Sequence, residues 1–189
     1  VVLAASSLQA SGGLDLLVRL AEKMLRRHPR YITLLAPFIC YIFTFMSGTG
    51  HVVYSLLPVI SEVARDSGIR PERPLSISVI ASQQAITASP ISAAMAAMIG
   101  LMAPFGISIS TIMMICVPAT LIGVAAGAIA TFNKGKELKD DPEYQRRLAE
   151  GLLKPIGKAE RTTEIAPHAR LSVLLFLTGA VVIVLLGLI

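Results

Sequence analysis

Charge is what this sequence lacks most. Only 15% of its 189 residues are Asp, Glu, Lys or Arg, while 54% are hydrophobic; soluble domains carry about 25% charged residues. Tyr31–Ser61, Pro74–Asn133 and Leu171–Ile189 contain none of the four charged types. A helix rising about 1.5 Å per residue crosses a hydrocarbon core of about 30 Å in roughly 20 apolar residues. The middle run therefore has room for a pair of spans and a short loop. The alternative, a large soluble core, does not suit uncharged runs of this length.

Cysteine is scarce too. Cys40 and Cys116 stand far apart in apolar segments. They make neither a CxxC motif nor a metal-ligand spacing and read as small core residues, so neither a metal nor another cofactor is expected. No initiator Met is present and no basic region precedes the apolar opening, which excludes a recognisable cleavable signal. Val1 begins inside an apolar stretch and Ile189 ends inside another. A chain truncated at both ends is expected.

What charge there is clusters. All 17 Lys and Arg fall within Arg19–Arg30, Arg65–Arg73 and Lys134–Arg170, and the formal net charge is +5. Short cytoplasmic loops collect Lys and Arg, so topology accounts for this excess without nucleic acid. Placing all three clusters in the cytoplasm forces Tyr31–Ser61 to leave and re-enter on one side. As one helix it would reach about 46 Å, long for a single span, yet it is too short for two. A re-entrant hairpin over 31–61 fits both length and charge. Its centre, Ser47-Gly48-Thr49-Gly50, is poor helix sequence, each glycine costing about 1 kcal/mol relative to Ala. The alternative is one long tilted helix whose glycines permit close packing.

The remaining boundaries follow from the same pattern. The membrane domain covers 1–132: the end of a span at 1–13, an amphipathic interfacial helix at 14–28, the hairpin, an interrupted span at 75–102 and a further span at 109–132. In Leu14–Arg27 the apolar positions Leu14, Leu17, Val18, Ala21, Met24 and Leu25 recur at helical spacing. Arg19, Glu22, Lys23 and Arg26 lie opposite, with Asp15–Arg19 and Glu22–Arg26 as favourable i, i+4 pairs. A cytoplasmic linker is expected over 133–170. Asp141-Pro142-Glu143 there marks the start of a short helix running to about Leu153. Residues 171–189 begin another span.

Polar residues interrupt the apolar segments in two places. One is Ser47-Gly48-Thr49-Gly50-His51; the other is Ser82-Gln83-Gln84 followed by Thr87-Ala88-Ser89-Pro90-Ile91-Ser92. Pro90 has no N–H and clashes with the carbonyl of Ile86, breaking or kinking its helix. Paired broken helices at mid-depth are the usual build of a secondary transporter's binding site. Their free N–H groups suit an anion. The candidate binding set is Ser47, Gly48, Thr49, Gly50, His51, Gln83, Thr87, Ser89, Pro90 and Ser92. Ser and Thr hydroxyls also bond back to their own helices, and His51 either senses protons or caps the turn. No Lys or Arg lies in these segments, so the countercharge must come from elsewhere.

Four stretches carry a family resemblance: GGLDLLVRLAEKMLRRHPRYITLLAPF, SGTGHVVYSLLPVI, RPERPLSISVIASQQAITASPISAAM and LKDDPEYQRRLAEG. They resemble the anaerobic C4-dicarboxylate transporter (Dcu) family, the A-type branch in particular, from about Gln9 to Arg170. The resemblance implies an all-α polytopic membrane protein, one half of an inverted-repeat transporter. Its implied activity is antiport or uptake of fumarate, succinate, malate and aspartate across the bacterial inner membrane. In related divalent-anion symporters a Ser-Asn-Thr motif marks the hairpin tip. Here Ser47-Gly48-Thr49 aligns with it, and Gly48 in place of Asn argues against carrying over a sodium site. Implied partners are the dicarboxylate, the bilayer, the second repeat and, as an open alternative, further copies of the chain. Two alternatives keep the membrane: the same fold carrying another anion or a cation, or a scaffold without substrate. An intramembrane hydrolase pairing Ser89 or Ser47 with His51 would need a Ser–His hydrogen bond and an oxyanion hole, and no nucleophile-elbow pattern is present.

Overall fold

The computed structural model describes residues 13–153 and, beyond them, 171, 173–175, 178, 179 and 182. The span end expected before residue 13, the linker beyond 153 and most of the span from 171 lie outside the described residues. The helices are α1 (Gly13–Arg27), α2 (Ile32–Ser47), α3 (His51–Asp66), α4 (Glu72–Ala88), α5 (Ala93–Met102), α6 (Ile109–Phe132) and α7 (Pro142–Ala149), with no strand among the described residues. Among the described residues three helical stretches are long and apolar enough to cross a membrane: Pro29–Ser47, Glu72–Phe105 and Ile109–Phe132.

α2 stands at the centre because both its faces are apolar or small. Ile32, Ala36, Ile39 and Cys40 pack against α3 through Val53, Leu56, Ile60 and Ala64, and against Ala21 and Leu25 of α1. On the other side Tyr41 meets Ala81, Ala85 and Ala88 of α4 and Val124 of α6. Small residues one turn apart let helices approach closely where lipid offers no hydrophobic drive. At Gly127 the fit is so close that an added Cβ would lie 2.6 Å from Ile77 Cδ1. Two buried polar pairs fix the register of this layer: Tyr41 Oη with Thr120 Oγ1 at 2.8 Å, and Thr44 Oγ1 with Ser82 Oγ at 2.9 Å. Such interhelical bonds contribute about 0.6 kcal/mol each.

One end of the bundle carries its charge. Arg26 of α1 donates to Glu22 at 2.8 Å, to Glu62 at 2.7 Å and to Asp66 at 3.3 Å. Arg70 donates to Glu72 at 2.7 Å and to Asp141 at 2.8 Å. Arg73, only 7% exposed, donates to the carbonyls of Lys134 and Gly135 at 2.6 and 2.7 Å and to Glu137 at 2.7 Å. The beginning of the linker is therefore clasped to the α3–α4 turn and the first turn of α4. Mixed charge in the sequence does not reveal that a guanidinium with three acceptors is waiting for it.

One finer expectation also changes. The helix expected to reach Leu153 ends at Ala149, because Gly151 turns into the left-handed region at φ 71° and stops it. On α1, Met24 is 54% exposed and Leu20 48%. Docking onto α3 turns Ala21 and Leu25 inward, and Met24 lies 100° from Leu25 on the helix.

Candidate functional site

The α2–α3 turn forms for a local reason. Gly48 caps α2 at φ 68° and ψ 11°, donating its N–H to Thr44 O at 2.8 Å. A side chain disfavours that left-handed conformation. Gly50 begins α3 without a side chain to cap it. The first N–H groups of α3, at His51 and Val52, accordingly have no partner within their own helix.

The second break has a different cause. α4 stops at Ala88, and Ser89 takes an extended conformation at φ −72° and ψ 126°, the conformation favoured before a proline. The chain restarts at Ser92, whose hydroxyl accepts from Met95 N at 3.0 Å and donates to Ser89 O at 3.0 Å. Pro37, Pro58 and Pro118 remain inside their helices.

The two breaks meet. Ser89 is fully buried and its hydroxyl donates to Phe45 O at 2.6 Å, joining the end of α4 to the last turn of α2. A Cβ added at Gly48 would lie 2.8 Å from Ile91 O. One added at Gly50 would lie 3.5 Å from both Gln83 Nε2 and Ser82 Oγ. The N-termini of α3 and α5 thus both start beside one junction.

The candidate residues divide by what their polar atoms do. Ser47 donates to Thr44 O at 3.2 Å and to Thr49 O at 3.0 Å. Ser47, Ser89 and Ser92 are buried and direct their hydroxyls to backbone, while Gly48 and Pro90 shape the chain. His51, Gln83 and Thr87 are exposed, Thr49 and Gly50 are half-buried. Among the described residues the side chains of Thr49, His51, Gln83 and Thr87 make no hydrogen bond. The imidazole lies 6.2 Å from the Tyr54 ring, centroid to centroid, tilted by 46°. Neither Ser47 nor Ser89 bonds to it, so the Ser–His arrangement a hydrolase needs is not formed.

The junction thus offers unbonded amide, hydroxyl and imidazole groups beside two helix N-termini, a chemistry that complements carboxylates. Sequence reasoning misses Thr44, which ties α2 to Ser82 just behind the turn. Its signal is spacing: Thr44 lies one turn before Gly48, on the face that carries Tyr41.

Comparison with known proteins identifies the family. The family described as anaerobic C4-dicarboxylate membrane transporters matches residues 1–189. The C4-dicarboxylate transporter DcuA of Wolinella succinogenes is 46% identical over 184 residues, covering 97% of this chain and 42% of the relative. DcuA of Escherichia coli K12 is 45% identical over 190 residues, covering 100% of this chain and 43% of the relative. The anaerobic C4-dicarboxylate transporter DcuB of Escherichia coli O6:H1 is 42% identical over 154 residues, covering 79% and 34%. The chain thus spans less than half the length of the curated relatives it matches. No solved structure matches it. With its apolar helices and a match along its whole length, the chain belongs to the anaerobic C4-dicarboxylate membrane transporter family, whose members are transporters and not enzymes.

Proposed function

We propose that this chain is one half of a secondary transporter that exchanges or takes up C4-dicarboxylates such as fumarate, succinate, malate and aspartate across a bacterial inner membrane. The observation that carries the reading is the meeting of the two helix breaks, through Ser89 and Phe45 and through Gly48 and Ile91. Thr49, His51, Gln83 and Thr87 supply side-chain donors there, and the N-termini of α3 and α5 supply backbone N–H groups. Ser47, Ser89 and Ser92 hold the frame. Each helix end contributes about 0.3–1 kcal/mol, up to about 2 when partly buried. Hydrogen bonds to a charged group contribute about 1.5–3 kcal/mol each. Several must converge to offset the desolvation of two carboxylates, and the remainder of the full-length protein completes the set.

The same reading places the three basic clusters in the cytoplasm and makes α2–α3 a re-entrant hairpin. Support comes from the ion pairs that join the clusters: Arg26 with Asp66, Arg70 with Asp141 and Arg73 with Glu137. Residues bonded directly to one another belong on one side of a bilayer.

Counterflow tests the transport reading. Proteoliposomes holding the full-length protein and loaded with succinate should accumulate labelled fumarate, competed by malate and aspartate but not by citrate or acetate. Competition by citrate at equal concentration would move the fold to another anion. Absence of any saturable flux would leave a scaffold.

A further inference from the structure

We infer that the outward face of α1 is a docking strip for anionic phospholipid headgroups. α1 sorts its charges by face. Arg26 points toward α3 and is satisfied by Glu22, Glu62 and Asp66. Lys23 and Arg27, one turn apart, are exposed and make no ion pair among the described residues, and Arg30 just beyond the helix is exposed likewise. Beside these cations lie Leu20 and Met24, about half exposed, while Ala21 and Leu25, packed into the core, are fully buried. At 100° per residue Lys23 and Arg27 both lie within about 60° of Leu20. The outer face thus pairs cations with apolar side chains, the composition that settles a helix into the headgroup boundary.

Position along the chain limits what can cover this face. α1 is followed within a few residues by the stretch Pro29–Ser47, long and apolar enough to cross the membrane. Tyr31, 52% exposed, sits at that junction, where amphipathic rings favour the membrane–water boundary. A helix tethered this closely to a span remains at the bilayer surface, so its apolar side chains meet acyl chains and its cations meet headgroups. Among the described residues no carboxylate pairs with Lys23, Arg27 or Arg30, which makes anionic lipid the complementary occupant in preference to zwitterionic lipid. The stems of Lys23 and Arg27 cover apolar surface while their charged ends reach phosphate. This inference rests on α1 lying beside a membrane span and not on the identity of the transported anion.

The test uses full-length protein with one cysteine, Met24→Cys, in a cysteine-free background, labelled with an environment-sensitive fluorophore. The protein is placed in vesicles containing either brominated phosphatidylcholine or brominated phosphatidylglycerol at equal mole fraction. The phosphatidylglycerol form should quench about two- to fivefold more, and high salt should reduce the excess. Adding K23Q, R27Q and R30Q should make the two lipids quench alike; K134Q, K136Q and K139Q, removing equal charge from the linker, should not. Inorganic phosphate should leave the preference unchanged. Equal quenching by both lipids without those substitutions would overturn the inference, as would a label that neither lipid quenches. If the triple variant fails to insert, the salt dependence without substitution still decides, since a preference unaffected by salt contradicts a headgroup interaction.

Discussion

Replacing Gly48 by alanine separates two accounts of the polar segment between α2 and α3. Gly48 adopts φ 68°, and a Cβ there would lie 2.8 Å from Ile91 O and 2.9 Å from Ile91 Cγ1. The left-handed conformation costs a residue with a side chain about 1–2 kcal/mol. Overpacking against neighbours that cannot move adds about 1–3 kcal/mol, and the first neighbour here is backbone. Gly48→Ala should therefore destabilise by roughly 2–5 kcal/mol and push the turn off the α4–α5 break. Were the segment one continuous helix, the same change would stabilise it by up to about 1 kcal/mol. The signs are opposite. Gly50→Ala is the control, because Gly50 has φ −74° and its closest neighbour, Ile86 Cδ1 at 3.2 Å, ends a flexible side chain. Denaturant unfolding of full-length protein in mixed micelles, read beside dicarboxylate counterflow, measures both variants. A Gly48→Ala protein as stable as the parent, with flux intact, would refute the reasoning.

Other substitutions probe separate parts. Thr49→Ala should lower apparent dicarboxylate affinity by roughly ten- to a hundredfold at unchanged stability, as loss of a hydrogen bond to a charged group implies. Ser89→Ala should instead cost about 1–3 kcal/mol of stability by orphaning Phe45 O, and equal affinity losses in both variants would merge frame and donors. Arg73→Gln should release the linker, visible as at least about tenfold faster amide exchange over residues 134–141, since hydrogen bonds to its charge contribute about 1.5–3 kcal/mol each. Exchange unchanged there would mean that Arg70 and Asp141 suffice. Single cysteines replacing Arg27, Ser67 and Lys139 in a cysteine-free background should all resist impermeant thiol reagents in intact cells; labelling at 67 alone would break the re-entrant reading.

The all-helical membrane class was legible because it rests on composition: long runs without a formal charge have few soluble solutions. The stops at Gly48 and Ser89 are local as well, one set by a left-handed glycine, the other by the residue before a proline. Which proline breaks a helix was less legible. Pro37, Pro58 and Pro118 have the same ring as Pro90, yet only beside Pro90 is there a serine whose hydroxyl reaches a neighbouring helix at Phe45. That bond is a tertiary contact, and a single sequence does not show it. The contact of Gly48 with Ile91 was illegible for the same reason. Arg73 illustrates the opposite error, since in sequence it looks like one more member of a basic loop. Its three acceptors lie more than sixty positions away.

The central claim is that a dicarboxylate binds where the two breaks meet. Magnetic-resonance dipolar recoupling tests it without altering a side chain, using carboxylate-labelled fumarate and full-length protein with nitrogen label in its histidine, valine and glutamine. Bound fumarate should show coupling to the backbone amides of His51 and Val52 and to Gln83 Nε2, at the roughly 3 Å heavy-atom separations of hydrogen bonds. Fumarate that binds saturably yet couples to none of these nitrogens would contradict the account.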